Sequence, residues 1–187
     1  MAAEITQTYR AFAYNNAWAN YRILQACLGL SDTDFALIRV SFFPSLQATL
    51  NHTYSVDLFY IDAMEGGWLG PEAWAADCPF PVAADLARAQ AALDARLIAV
   101  CASLTADALS APVRLNRGRT VQTERCDRLL MHLFQHQIHH RGQAHAMLAG
   151  TASRPPQLDE FFSIDDATLR ENDFARLGWS EATIWRP

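Results

Sequence analysis

Lysine is missing from this 187-residue chain: all fifteen basic residues are arginines, set against twenty acids for a net charge of −5. A nucleic-acid partner requires a basic face to neutralise phosphates. The only local basic cluster, Arg114, Arg117 and Arg119, has no aromatic residue interleaved and reads as a solvated turn, so no nucleic-acid partner is expected. Also missing is any uninterrupted apolar run approaching the ~20 residues that span a bilayer. The N-terminus lacks the charged-then-apolar pattern of a secretory leader. The four cysteines (Cys27, Cys78, Cys101, Cys126) are widely spread with no C-x-x-C spacing, as expected for reduced thiols. A soluble, cytoplasmic protein without membrane contact follows as the expectation.

No repeat, low-complexity tract or long linker divides the chain, so residues 1–187 are expected to form a single domain. Hydrophobic residues make up 51% and charged residues 19%, a globular rather than a disordered balance. A chain of this length buries roughly two-thirds of its unfolded surface and folds without a structural metal or disulfide. Any metal site is therefore free to be functional.

Helical periodicity dominates. Tyr14, Trp18, Tyr21, Leu24 and Leu28 step three or four apart on one face of a helix predicted over 4–28 and stopped by Gly29. Ser31 followed by Asp34 predicts a capping box opening a short connecting helix. A second long helix is expected from Ser41–Pro44, with proline in its first turn, to Gly66 and Gly67. Pro71, Pro79 and Pro81 mark an irregular crossing. An alanine-rich third helix is predicted over 83–105, with Leu86, Leu93, Leu97 and Val100 as its apolar positions. Pro112 to Arg119 reads as a turn or small hairpin. The fourth helix is predicted from Thr120 or Thr123 to Gly150, with Glu124 and Asp127 in its first turns. Past Pro155 and Pro156, a short helix is expected over 163–176, opened by Ser163 and Asp166 as a second capping box. The class is all-α: a four-helix bundle with short connecting and C-terminal helices.

Five of six histidines fall between residues 132 and 145, inside the fourth helix. Residues four apart on a helix point the same way to within about 40°. His136 and His140 are such a pair and share a stripe with Leu129 and Met147, so they are expected to face the bundle interior. Imidazoles one turn apart suit a transition metal that prefers nitrogen. His52, mid-way along the second helix and flanked at helical spacing by Thr49, Val56 and Phe59, can face inward as a third ligand. Three histidines from two helices leave coordination positions open, as in reactive sites. Spacing alone also permits His132 with His136, or His136 with His139, and a lone inward histidine is commonly a hydrogen-bonded core residue. No H-E-x-x-H occurs, which excludes the zinc-protease arrangement. Asp57 and Asp62 lie on the second helix, but neither shares the face of His52. Met131, Phe134 and Ile138 make the far side of the fourth helix apolar as well, which predicts burial against the crossing, the tail or a dimer partner.

The run L-N-H at 50–52, preceded by S-F-F-P-S and followed by Asp57, resembles the second helix of the DinB family. H-x-x-x-H-R-G-Q at 136–143 is similar to that family's fourth-helix motif, and P-P-Q-L-D at 155–159 resembles its tail. The resemblance covers nearly the whole chain. It implies an up-down-down-up order of helices, a homodimer, and a zinc or nickel ion held by His52, His136 and His140. It further implies metal-dependent enzymes, either transferases and isomerases using low-molecular-weight thiols such as bacillithiol and mycothiol, or hydrolases. The alternative is a non-catalytic stress protein that binds a metal or small ligand. Gln143 is expected beside the ligands or in contact with substrate, with a satisfied polar core residue as the other reading. Gly142 is expected to permit close helix approach. Arg141 is expected in an ion pair within the bundle or at an interface, and His132 and His139 as hydrogen-bonded residues behind the ligands or at the rim. No acid/base partner for the metal is visible in the sequence, so the metal is the one catalytic group expected.

Overall fold

Helix α1 (Ala2–Leu28) runs twenty-seven residues without a glycine or proline in a computed structural model that describes residues 2–185. It ends where Gly29 and Leu30 turn back onto the carbonyls of Ala26 and Cys27. The expected capping box opens α2 (Asp32–Ala36): the Ser31 hydroxyl accepts from the Asp34 N–H at 3.1 Å and donates to its carboxylate at 2.8 Å.

Helix α3 (Leu46–Met64) begins later than the expected 41–44. A residue before proline is pushed out of the helical region, which removes Phe43 from the helix. Ser45, in extended conformation, then takes the N-cap and accepts from the Ala48 N–H at 3.0 Å. Ser45→Ala should cost about 1 kcal/mol, read as a fall in melting temperature of about 2–4 °C for a chain of this size. An unchanged melting temperature would mean that the cap contributes nothing to α3.

After a crossing that contains a 3-10 turn (Gly70–Trp74), α4 (Ala83–Ala102) stops three residues short of the expected end, and Thr105 caps a short unforeseen helix, α5 (Ala106–Ser110). The hairpin alternative at 112–119 is the one realised, and it extends further than expected. Strand β1 (Pro112–Asn116) pairs antiparallel with β2 (Val121–Arg125), Asn116 opposite Val121. The turn is closed by Gly118 at φ 77°, a left-handed conformation that favours glycine. Helix α6 (Cys126–Leu148) therefore starts after, not at, Thr120–Thr123. The β-branched Val121 and Thr123 suit a strand, and ladder pairing outweighs helix extension there. Arg117 of the basic cluster is used internally, its guanidinium 4.7 Å from the Phe59 ring and donating to Gln122.

In the tail, α7 (Ala167–Leu177) begins after Asp166, whose side chain makes no cap bond, and the short α8 (Glu181–Trp185) was not anticipated. The expected Ser163–Asp166 box does not form. The Ser163 carbonyl instead accepts from Arg170, a buried guanidinium that gathers the tail. Phe161, Phe174 and Ile184 pack on Trp18 and Tyr14 of α1.

Contacts between the four long helices fix their order. Phe12 meets Phe134 and Asn16 meets Arg141, so α1 and α6 run the same way. Asn51 meets Phe80 and Glu65 meets Arg96, so α3 and α4 run together. Tyr60 meets His132 while His52 meets His136, so α3 and α6 are antiparallel. The order is up-down-down-up, and the long crossing at 65–82 is what two parallel neighbours require. On α6, Phe134 is buried against Phe12, which also touches Phe162 of the tail, whereas Met131 and Ile138 stay about half exposed. Only part of the expected second apolar face is covered.

All four cysteines are free, three of them buried. Burial pushes the Cys27 and Cys101 thiols up to about 12, so neither offers a thiolate near neutral pH. Among the described residues no helix is long and apolar enough to cross a membrane.

Candidate metal centre

His52 sits mid-way along α3, and His136 and His140 lie one turn apart on the antiparallel α6. Their side chains converge. One ring nitrogen from each lies within 4.8 Å of the other two, and the Nε2 atoms of His52 and His136 are 3.0 Å apart. Two nitrogens bound about 2.0–2.1 Å from one tetrahedral ion stand ~3.3 Å from each other, so this spacing is close to that of co-ligands. The ring centroids of His52 and His140 are 4.8 Å apart, and those of His136 and His140 4.4 Å.

The cluster lies along the seam between α3 and α6 rather than in the bundle interior, where the pair was expected. His140 is buried, but His52 and His136 are half-buried. The reason is the helical turn itself: Gln137 and Arg141, each one residue further on, occupy the inward positions and are buried. Phe43, left outside α3 by Pro44, closes one side with its ring 4.2 Å from His52 and 5.5 Å from His140. The rival pairings are not the ones brought together. His132 lies against Tyr60, its ring 6.1 Å from His136, and His139 touches the edge of His140. Both stand at the rim, as expected.

Electrostatics favour neutral rings with lone pairs available. Burial is the main cause that lowers the pKa of all three; it brings His52, with help from His140, to about 4. His136 falls to about 3, with the four neighbouring histidines adding to burial. For His140 the bond to Gln143 opposes the lowering. That bond also selects the tautomer: His140 Nδ1–H donates to Gln143 Oε1 at 2.8 Å, which leaves Nε2 free as a ligand. The Gln143 amide in turn donates to His139 Nε2 at 3.2 Å. Gln143 thus lies between His140 and His139, beside the histidine cluster. Gln143→Leu should weaken metal binding about tenfold, the low end of effects from outer-shell partners, in a competition titration against a chelating dye. Unchanged affinity would reduce the bond to packing.

The fit of a metal ion rests on this donor set. Three imidazoles from two helices share one focus, with the Nε2 atoms of His52 and His136 at co-ligand spacing.

The two carboxylates of α3 are both engaged elsewhere. Asp62 accepts from the Leu69 N–H at 2.8 Å and shapes the exit from α3. Asp57 is fully buried behind the histidines and accepts from Gln90 and Gln137. Arg141 donates to Asn16, Asn20 and Gln137, and the amides of Asn16, Asn20 and Gln90 donate to Asp94. The expected ion pair of Arg141 does not form among the described residues: its guanidinium bonds to neutral amides, which stand between it and the carboxylates. Sequence reasoning missed Asn16, Asn20, Gln90, Asp94 and Phe43. The first four do carry a signal: they are polar i, i+4 pairs set among apolar helix faces, where burial demands partners. Gly142 contradicts its expectation. A Cβ there would meet nothing within 4 Å, so the glycine faces open space and permits no close approach.

An up-down-down-up bundle with three histidines converging from its second and fourth long helices defines the class: a helical-bundle protein carrying a candidate metal centre. The chain matches the DinB family over residues 4–173, and it belongs to that family. A DinB-like protein from Bacillus cereus, solved as a crystal structure at 2.01 Å, shares the fold with a TM-score of 0.60 at 16% identity. The match covers 78% of this chain and 94% of that one. No curated protein matches.

Proposed function

We propose that the protein binds one divalent transition-metal ion, zinc or nickel, through His52, His136 and His140, and that it is a metal-dependent enzyme. The observation that carries the reading is the convergence of three imidazole nitrogens within 4.8 Å at a half-open seam. The ion would supply a Lewis acid that acidifies a coordinated water or thiol toward neutrality.

The chain's own residues would bind and orient. Burial keeps the three rings unprotonated, Gln143 holds His140 in the ligating tautomer, and Phe43 excludes water from one side. The charged neighbours acting on His52 and His136 are other histidines, not acids. Asp57 is fully buried, with one oxygen bonded to Gln90 and Gln137, and Asp62 accepts from the Leu69 N–H. A metal-acidified thiol and a metal-acidified water would each be a nucleophile, so the reaction proposed is S-transfer from a low-molecular-weight thiol to an electrophile, or hydrolysis. A homodimer in the cytoplasm completes the proposal.

The test is metal analysis of protein prepared without a histidine tag, followed by thiol-conjugation and ester-hydrolysis assays. One equivalent of metal with conjugation supports the reading. Stoichiometric metal without turnover on either panel leaves a non-catalytic binder, and absence of metal with no thermal shift on adding Zn²⁺ or Ni²⁺ overturns the metal site.

A further inference from the structure

Between Phe134 and Ala144 the buried side chains of α6 are Gln137, His140 and Arg141, and all three are polar. Over this stretch no apolar side chain anchors the rotation of the helix about its own axis. Worse, the one large aliphatic residue there, Ile138, stands 49% exposed. A turn of about 100°, one helical residue, would bring Ile138 into the core and carry His136 and His140 away from α3. Hydrophobic burial alone thus competes against the register that assembles the metal centre.

What opposes that rotation is polar. Gln137 Nε2 donates to the buried Asp57 of α3, and Gln137 Oε1 accepts from Arg141, which also reaches Asn16 and Asn20 of α1. These bonds tie the residues directly after two of the histidines to two other helices. Buried polar groups of this kind seldom raise stability above that of an apolar core, and their best-attested use is to specify register.

We propose that Gln137 is a positioning residue: its contact with Asp57, backed by Arg141, sets the rotation of α6 and so aims His136 and His140 at His52. The inference rests on the metal-binding reading above.

The test compares wild type with Asp57→Leu/Gln137→Leu. This double variant replaces the pair by apolar side chains and leaves Arg141 balanced by Asp94. Co²⁺ serves as the probe, through its absorption spectrum and its affinity. The expected result is a folded variant that binds Co²⁺ at least about tenfold more weakly, in the range of losses when support around ligands is removed, with an altered ligand-field spectrum. Asp94→Asn removes a charge from the same network without touching the Gln137–Asp57 contact and should bind as wild type does. A folded double variant with wild-type affinity and spectrum overturns the proposal, and so does an equal loss in Asp94→Asn, which would mean general loosening. Should the double variant fail to fold, Gln137→Asn, whose amide is one methylene short of Asp57, gives the same two readouts at smaller packing cost. Failure of the wild type itself to bind Co²⁺ or Zn²⁺ sinks the metal reading first, and this one with it.

Discussion

His136→Ala is expected to abolish stoichiometric zinc or nickel binding, with a loss of affinity beyond the about 10–100-fold typical of removing an outer-shell partner. His136 is the middle of the cluster: its Nε2 lies 3.0 Å from that of His52, and its ring centroid is closer to that of His140 than the His52 ring is. Its removal leaves two imidazoles on different helices and no third donor within the group. The fold should persist, because His136 is half-buried and makes no bond that closes a helix or the core. Elemental analysis of the purified variant beside wild type checks the prediction, with circular dichroism as the control for folding. Retention of one equivalent of metal would show that the three rings are not the site.

The metal-free protein should also respond to acid in a way that reports these rings. His52 and His136 have folded pKa values of about 4 and about 3, lowered from 6.5 in the unfolded chain. The folded state therefore binds fewer protons than the unfolded state across that interval. Stability contributed by the neutral rings is fully present above pH 6.5 and is lost as pH falls through about 4 for His52 and about 3 for His136. Zinc or nickel should suppress this loss, since the bound ion competes with the same protons.

Much of this was legible in the residues, for physical reasons that can be named. The long helices announced themselves because apolar residues three and four apart must share a face, and Gly29, Gly66 and Gly150 stand where the helices stop. The spacing on α6 and the lone histidine on α3 made the three converging histidines candidates, and the resemblance to the DinB motifs singled them out from the rival pairs. Boundaries set by competition between local preferences were harder. Pro44 is compatible with a first helical turn, yet its effect on Phe43 and the better cap at Ser45 move the start of α3 to Leu46. Val121–Arg125 joined a strand because a partner strand existed, a fact of pairing that no window of sequence contains. The burial of Gln137 and Arg141 was the least legible feature. Their partners sit on α1, α3 and α4, and only the packed bundle brings Asn16, Asp57 and Asp94 to one place.

That buried network carries the largest stability effect expected in the molecule. Arg141→Met should destabilise the protein by about 3–5 kcal/mol, the usual penalty for removing one partner of a buried charge system. At about 2–4 °C per kcal/mol for a chain of this size, the melting temperature should fall by roughly 10 °C or more. Methionine fills much of the volume, so the loss reports charge rather than a cavity. Two carboxylates are fully buried around one guanidinium, and burial raises the pKa of Asp57 to about 7 and raises that of Asp94 as well. Burial also lowers Arg141, though only to about 10, so it stays charged at neutral pH. A carboxyl with a raised folded pKa contributes stability that is fully present below its ordinary value of 3.8 and is lost as pH rises through the folded value, about 7 for Asp57. Arg141 is what limits that loss. Without it both carboxyls hold their protons to still higher pH, and ionising them costs more. The gap in stability between Arg141→Met and wild type should therefore be smaller near pH 5 and widen toward pH 8, measured by denaturant unfolding at each pH. A gap of the same size at pH 5 and pH 8 would mean that Arg141 acts through its shape and its bonds to neutral amides, and that the carboxylates behind the metal seam do not depend on its charge.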